Sequence, residues 1–157
     1  MLLGGAKMAE KTVARVAVYG TLRKDMGNHA IMKDAGGKPM GGFWTPPSFT
    51  MWDLTWYPAI TLEGEHSVYL EVYEVEDLHV LDTLEGYPDL YDRKRIPTPW
   101  GEAYLYFMET ANVPSGAQPV PSGNWMTHVQ EAEEGIYARD RVSSEVRGGI
   151  GTRNYLH

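Results

Sequence analysis

The chain has 157 residues, with 14 Lys and Arg against 21 Asp and Glu, a net charge of −7 and no cysteine. This length predicts one domain with a buried core, and the lack of cysteine excludes disulfides, thiolate metal sites and cysteine nucleophiles. The acidic balance argues against partners such as nucleic acid or an anionic membrane, because both attract basic proteins. The chain also has 10 Tyr and 5 Trp but only 3 Phe, which favours rings that carry a hydrogen-bonding group.

Alternating apolar and polar residues predict more strands than helices. The predicted strands are residues 12–19, 48–54, 66–75, 91–97 and 102–108. In the third of these, Val68, Leu70 and Val72 share one face, because successive side chains of a strand point to opposite sides. The stretch Gly36–Pro47 is expected to form turns, since Gly and Pro recur throughout it.

Three short helices are predicted from their end residues. Asn28 and Asn124 are expected to cap two of them. The clearest helix has Asp77 as its N-cap, leucines at helical spacing, and Gly86 as its stop. Because strands outnumber helices and do not alternate regularly with them, the predicted fold class is α+β.

The domain is expected to occupy residues 12–130. Residues 1–11 are predicted to be a flexible N-terminus. They lack the basic first region and the long apolar run of a signal peptide. Residues 131–157 mix charges with glycines and are expected to form a C-terminal tail of uncertain order. No segment approaches the roughly 20 apolar residues of a membrane helix, so a cytoplasmic protein is expected.

The segment Tyr19-Gly20-Thr21-Leu22 follows the first predicted strand directly. Glycine at a strand end lets the backbone turn and present its N–H groups as a small anion-binding concavity. An ordinary strand-ending turn explains the same residues. No Gly-Lys-Ser/Thr follows, so the segment is not a phosphate-binding P-loop.

Glu85 lies in the last turn of the predicted helix, next to Gly86. The negative end of the helix dipole disfavours a charged carboxylate there. Burial by Leu84 and Tyr87 would raise the pKa of Glu85 further and make it a better base. A solvated surface glutamate is the plainer interpretation. The nearby carboxylate of Asp82 is the rival candidate for this role, and a solvated side chain is its plainer interpretation.

Two further patterns bear on ligand binding. Tyr87, Tyr91 and Arg93 could pair with a ligand carboxylate, or they could be half-buried strand residues. The five histidines lack the spacing of metal ligands and there are no thiols to help, so a structural metal site is not expected.

The order of these motifs resembles the γ-glutamylcyclotransferase-like family, which includes the γ-glutamylamine cyclotransferases and the AIG2-like proteins. The resemblance covers roughly residues 13–126 and rests on Tyr-Gly-Thr-Leu, then Asn28, Tyr57-Pro58-Ala59, Leu-Asp-x-x-Glu-Gly-Tyr-Pro and Tyr-x-Arg. Ser122-Gly123-Asn124-Trp125 is similar to the family's closing Gly-Asp-Trp segment. Two positions depart from the pattern, with Leu70 in place of a common glycine and Asn124 in place of the acidic residue.

This resemblance implies a compact α+β domain built on a small mixed β-barrel. It also implies that the substrate carboxylate and carbonyl are bound, largely through backbone N–H groups, by Tyr19, Gly20, Thr21 and Leu22. Glu85 would be the general acid/base, and Tyr57 and Tyr91 would line the pocket.

The implied reaction needs no cofactor and no protein nucleophile. In a γ-glutamyl amide the substrate's own α-amine attacks the side-chain carbonyl and releases 5-oxoproline with a free amine or amino acid. The alternative hypothesis is a non-catalytic small-molecule-binding or interaction module on the same fold. A nucleic-acid-binding barrel is a third hypothesis, although the sequence shows no basic groove. The oligomeric state is left open.

Overall fold

A computed structural model describes residues 13–23 and 26–135 of the chain. The strands are β1 (Ala14–Val18), β2 (Lys38–Trp44), β3 (Phe49–Asp53), β4 (Pro58–His66), β5 (Tyr69–Val75), β6 (Asp92–Thr98), β7 (Gly101–Phe107) and β8 (Gln118–Pro119). The helices are α1 (His29–Asp34), α2 (Leu78–Glu85), a 3-10 turn at Thr110–Asn112, and α3, which comprises residues 125–135. The predicted α+β class is confirmed. The N-terminal segment 1–11 and tail residues 136–157 lie outside the described residues.

Strand β1 runs through the middle of a five-stranded sheet with the order β2-β5-β1-β7-β6. It is antiparallel to β5 and parallel to β7. Val16 and Val18 pack on the side of α1 and α2, whereas Ala17 and Tyr19 pack with the second sheet and α3. Because both faces are covered, β1 is apolar along most of its length instead of alternating.

The second sheet has the order β4-β3-β8, and the implied barrel is not closed. Closure would require edge strands β2 and β6 to pair, and the described residues place them at opposite edges of one sheet. The Met108 amide donates to the Ile60 carbonyl at 2.9 Å, which joins the two sheets where β7 ends. The strands therefore make two packed sheets, not a continuous ladder.

The expected turn region Gly36–Pro47 was wrong, because β2 lies there. Its hydrogen-bonding partner is β5, with an irregularity between Pro39 and Gly41. A side chain at Gly41 would collide with the Trp100 indole, so the glycine permits close packing on the strand. Hydrogen bonds to β5 and packing against Trp100 therefore outweigh the local preference of this stretch for turns.

The caps of α2 are as predicted. The Asp77 side chain accepts from the His79 amide at 3.0 Å. At the other end Gly86 has φ 63°, the left-handed conformation that ends many helices. These two residues fix where α2 stops, and so fix the position of Glu85 as its last residue.

The expected cap at Asn124 is also confirmed, since its side-chain oxygen accepts from the amides of Met126 and Thr127 at 3.2 and 3.4 Å. Tail residues 131–135 continue the helix. Within the described ranges, no helix has the length and apolar character that crossing a membrane requires.

Candidate active site

A cavity of about 230 Å³ lies where β1, the β3–β4 hairpin and the end of α2 meet. Every site residue predicted from the sequence lines it: Tyr19, Gly20, Thr21, Leu22, Tyr57, Glu85 and Tyr91. These predicted residues come from four separate stretches of the chain. The residues that sequence reasoning missed are Ala17, Val18, Asn28, Pro58, Leu84, Leu90 and Tyr106.

The loop of residues 19–22, here called the pocket loop, follows the central strand of the larger sheet. Within the described part of the chain, no group accepts a hydrogen bond from the amides of Gly20, Thr21 or Leu22. The loop is held by other atoms, since the Gly20 and Thr21 carbonyls accept from the amides of Arg23 and Asn28 at 3.1 and 2.8 Å. The pocket loop therefore combines a fixed backbone with three unused donors.

Asn28 holds this loop by its side chain as well. It occupies the N-cap position of α1, but its side chain does not cap the helix. Instead its amide nitrogen donates to the Thr21 hydroxyl at 3.0 Å. The prediction that the Asn28 side chain caps α1 is therefore wrong. The side chain instead donates its amide N–H to the Thr21 hydroxyl of the pocket loop.

Two tyrosines form the cavity wall through bonds to the backbone. Tyr19 donates to the Tyr106 carbonyl at 2.8 Å and accepts from the Ile60 amide at 3.3 Å. Tyr91 donates to the Pro58 carbonyl at 2.8 Å. Because both hydroxyl protons are already used, these rings shape the cavity, and only the Tyr91 oxygen keeps a free acceptor position.

Glu85 contributes the carboxylate of the cavity. Its side chain retains some exposed surface because the cavity is open, while protein atoms enclose its other sides. Among the described residues it has no hydrogen-bond partner. Burial raises the pKa of Glu85 from its ordinary value of 4.5 to about 7. Glu85 is therefore poised to exchange a proton near neutral pH.

The phenols of Tyr19, Tyr91 and Tyr106 stay protonated near neutral pH. Burial raises the pKa values of Tyr19, Tyr91 and Tyr106 well above the ordinary value of 10, and the nearby Glu85 charge raises them further. Of the described residues that line the cavity, Glu85 is the only Asp, Glu, Lys, Arg or His. A proton-transfer step in this site consequently falls to Glu85.

Asp82, the rival carboxylate, lies one helical turn before Glu85 and is paired with other side chains instead of facing water. Arg93 binds it through two nitrogens, at 2.9 and 3.3 Å, and the Tyr106 hydroxyl donates to it at 2.6 Å. The Arg93 guanidinium also lies over the rings of Tyr87 and Tyr104. Asp82 is thus the carboxylate partner of Arg93, and this cluster ties α2 to β6 and β7 instead of binding a ligand.

Arg23 anchors the pocket loop from behind. Its side chain is 5% exposed, and its Nε lies 3.0 Å from a Glu71 carboxylate oxygen. A second nitrogen donates to the Asn124 side chain at 2.8 Å. Asn124, the departure from the acidic residue of the family pattern, therefore joins the loop to the cap of α3. The other departure, Leu70, is fully buried in the core and does not line the cavity.

Gly20 is required by a close approach and not by an unusual φ. A Cβ added there would lie 2.8 Å from two ring atoms of Pro58. Gly20→Ala is expected to lower the free energy of unfolding by about 1–3 kcal/mol, measured by urea denaturation, because the loop or the Pro58 ring must move. Gly135→Ala is the matched control, since its Cβ meets nothing. Equal stability of Gly20→Ala and the unsubstituted protein would contradict this account.

Comparison with known proteins gives one family match and several relatives. Residues 16–127 match the model of the family described as "Gamma-glutamyl cyclotransferase, AIG2-like". A Vibrio cholerae protein with a provisional gamma-glutamylcyclotransferase name is 39% identical over 117 residues, covering 73% of this chain and 96% of that protein. The gamma-glutamylcyclotransferase family protein YtfP of Escherichia coli K12 is 32% identical over 114 residues, covering 71% and 96%.

Solved structures show the same fold. The solution structure of E. coli YtfP superposes with a TM-score of 0.55 at 28% identity, covering 73% of this chain and 98% of that one. The crystal structure of a mouse AIG2-like protein superposes with a TM-score of 0.55 at 26% identity, covering 66% and 80%.

Proposed function

Because the chain belongs to the gamma-glutamyl cyclotransferase, AIG2-like family, we propose that it converts a γ-glutamyl amine or γ-glutamyl amino acid to 5-oxoproline and a free amine. The observation that carries this proposal is a carboxylate with a pKa of about 7 in the same cavity as three backbone amides that have no acceptor among the described residues. The first group suits proton transfer, and the second suits oxygen anions. The partner of the site is thus a small γ-glutamyl substrate.

The amides of Gly20, Thr21 and Leu22 bind the oxygens of the substrate. An anionic α-carboxylate or the reacting carbonyl oxygen accepts from them without any cationic side chain. When the carbonyl carbon becomes tetrahedral, its oxygen gains negative charge, and fixed N–H donors stabilise that charge at little cost of reorganisation.

Glu85 moves the proton. As a carboxylate it accepts one proton from the substrate's α-ammonium group, which leaves a neutral amine. That amine attacks the γ-carbonyl carbon to form the ring C–N bond, and the bond to the leaving nitrogen then breaks. Glu85 returns its proton to the leaving nitrogen, and the ring nitrogen gives up its second proton to the released amine or to water, so the neutral lactam forms and the carboxylate is regenerated.

No residue of the protein needs to act as a nucleophile in this scheme. The attacking and attacked groups belong to one molecule, and holding them in a reactive shape lowers the barrier by several kcal/mol. The walls fixed by Tyr19 and Tyr91 serve this purpose, because their hydroxyls are bonded to the backbone and the rings cannot drift. The lack of cysteine is compatible with the mechanism.

The direct test is the release of 5-oxoproline from a panel of γ-glutamyl amides and γ-glutamyl amino acids. We expect turnover of at least part of the panel. If no member yields 5-oxoproline while one of them still binds, the site is a binding module and not a cyclotransferase.

The pH dependence of kcat/KM follows from Glu85. Below the pKa of about 7 its carboxylate is protonated and cannot accept the substrate proton. We therefore expect kcat/KM to rise about tenfold per pH unit on the acidic side and to level near pH 7, measured with substrate well below KM. Glu102→Gln removes an exposed carboxylate outside the cavity and should leave the profile unchanged. An acidic limb centred near the ordinary glutamate value of 4.5 would contradict the raised pKa.

A further inference from the structure

Tyr57 reaches the cavity from the tip of the β3–β4 hairpin. Residues 54–57 connect the two strands, and the Leu54 amide donates to the Tyr57 carbonyl at 3.0 Å. Among the described residues, none forms a hydrogen bond with the Tyr57 hydroxyl. The hydroxyls of Tyr19 and Tyr91, in contrast, are bonded to the backbone. The position of the Tyr57 ring therefore depends on the conformation of its own hairpin.

The tip of this hairpin contains an unusual backbone conformation. Among the described residues other than glycine, Thr55 alone has a positive φ, of 83°. β-Branched residues rarely adopt this left-handed region, because the side chain crowds the backbone there. A turn that places a threonine in this region therefore needs an interaction that holds it.

Asp53 supplies that interaction. Its Oδ1 accepts a hydrogen bond from the Thr55 amide at 2.6 Å, an arrangement by which an aspartate stabilises a turn two residues ahead. Asp53 is also the partner of Pro58 in the strand register, and Pro58 lines the cavity. Asp53 itself lies outside the cavity lining. It therefore acts on the conformation of the hairpin and not on a ligand directly.

His128 of α3 holds the other oxygen of Asp53. The His128 Nε2 lies 2.7 Å from the Asp53 Oδ2, and it must be the donor because a carboxylate only accepts. The His128 ring lies against that of the fully buried Trp125, with centroids 5.3 Å apart. The start of α3 is fixed by the Asn124 cap, to which Arg23 donates. Asp53 is thus tied to a helix that is already attached to the pocket loop.

Building on the proposed function, we infer that Asp53 is a positioning residue for Tyr57. It holds Thr55 in the left-handed conformation, and this conformation sets how the Tyr57 ring meets the substrate. His128 holds Asp53 in turn. Through Arg23 and His128, α3 supports both the pocket loop and the tip of the hairpin.

Asp53→Ala tests this inference. Tyr57 belongs to the cavity wall and would contact substrate and transition state alike, so its displacement weakens both by the same factor. We expect KM for the γ-glutamyl compound that the parent turns over fastest to rise at least about fivefold, while kcat stays within about twofold of the parent. An unchanged KM in the folded variant would overturn the inference, whatever happens to kcat.

Two companion variants separate positioning from general support of the fold. Asp53→Asn keeps a side-chain oxygen for the Thr55 amide, and its KM should stay within about twofold of the parent. Thr55→Gly removes the side chain that disfavours the left-handed φ. Added to Asp53→Ala, it should recover at least about half of the increase in KM. A double variant that keeps the KM of Asp53→Ala would show that Thr55 does not transmit the effect, and would overturn the inference.

Thr98→Ala is the matched control. The Thr98 hydroxyl accepts from the Trp100 amide at 3.1 Å and donates to the Gly101 carbonyl at 2.6 Å, so it shapes the turn of the β6–β7 hairpin outside the cavity lining. Its loss should leave KM within about twofold of the parent. A rise equal to that of Asp53→Ala would mean that any weakened hairpin turn has this effect, which would overturn the particular role of Asp53.

Amide exchange tests the hold on the hairpin tip without turnover. Because the Thr55 amide is bonded to Asp53, we expect it to exchange at least about tenfold more slowly in the parent than in Asp53→Ala, measured by NMR. Equal exchange in the two proteins would overturn the inference even if KM changed.

The result remains decisive if Asp53→Ala fails to fold. His128→Leu removes the α3 partner of Asp53, and it should raise KM at least about twofold and speed the exchange of the Thr55 amide. A folded His128→Leu with the KM and the exchange rate of the parent would overturn the inference and leave cyclisation intact. No 5-oxoproline from any compound of the panel would overturn the proposed function, and this inference with it.

Discussion

Glu85→Gln is expected to reduce kcat for 5-oxoproline release by about 100-fold to 10,000-fold, the usual contribution of a positioned acid/base. The amide has nearly the shape of the carboxylate but cannot accept the proton of the substrate ammonium group. Glu85 is the only acidic or basic side chain among the described residues of the cavity wall, and burial keeps Tyr19, Tyr91 and Tyr106 protonated by raising their pKa values. Steady-state assays of 5-oxoproline with purified variant and parent measure the loss.

The same substitution should stabilise the fold, which separates lost chemistry from lost structure. In the parent, burial raises the pKa of Glu85 from 4.5 to about 7, so the folded state holds its proton more tightly than the unfolded state. The contribution of Glu85 to stability is therefore fully present below pH 4.5 and is lost as the pH rises through about 7. Glu85→Gln lacks this loss, so its unfolding free energy should exceed that of the parent above pH 7, by at most about 3 kcal/mol.

Denaturant unfolding at pH 5 and pH 8 measures this difference. Glu102→Gln is the control, because Glu102 is 66% exposed and pairs with Arg95 only at 3.9 Å. It should change neither turnover nor the pH dependence of stability. A Glu85→Gln enzyme that retains the parent's kcat would remove Glu85 from the mechanism.

Arg23→Met is expected to lower the free energy of unfolding by about 3–5 kcal/mol, the usual result of removing one partner of a buried ion pair. Without the arginine, the Glu71 carboxylate loses the guanidinium nitrogen that lies 3.0 Å from it, although it keeps the Tyr73 hydroxyl at 2.9 Å. Asn124 would also lose the donor that joins it to the pocket loop. Because Arg23 follows Leu22 directly, turnover should fall together with stability.

Two comparisons isolate the buried pair. Arg95→Met breaks an ion pair whose side chains are 64% and 66% exposed, and it should cost no more than about 1 kcal/mol. Arg23→Lys keeps the charge but cannot reach Glu71 and Asn124 together, so its stability should fall between those of Arg23→Met and the parent. Urea denaturation measures all three variants. Equal losses for Arg23→Met and Arg95→Met would show that burial does not matter here.

Local sequence was sufficient for elements whose ends depend on their own residues. The side-chain cap of Asp77 and the left-handed Gly86 fix α2 within a few residues, and both were predicted. Strand β2 could not be predicted in this way, because its extended form depends on hydrogen bonds to β5, which lies some 30 residues later in the chain. Turn-forming glycines and prolines in that stretch gave the opposite indication, as local preference does when a partner strand decides.

The site divides along the same line. The pocket loop and Glu85 could be chosen from motif order, and the structure brings them to one cavity. The carboxylate of Asp82 could not be distinguished from a solvated group, because its partners Arg93 and Tyr106 lie 11 and 24 residues away. The hydrogen bonds of Tyr19 and Tyr91 could not be predicted either, because the carbonyls that accept from their hydroxyls belong to distant strands.

The sequence by itself determined that this is an acidic α+β protein without thiols, whose motifs follow the order of one family. Order along the chain is a property of the sequence, and so are residue types and helix caps. Only the tertiary structure decided the pKa of Glu85, the bonds of the cavity tyrosines and the exposure of Leu84 and Leu90 at the cavity. These depend on which atoms exclude water from a group and which donors reach it, and such neighbours come from residues far apart in the chain.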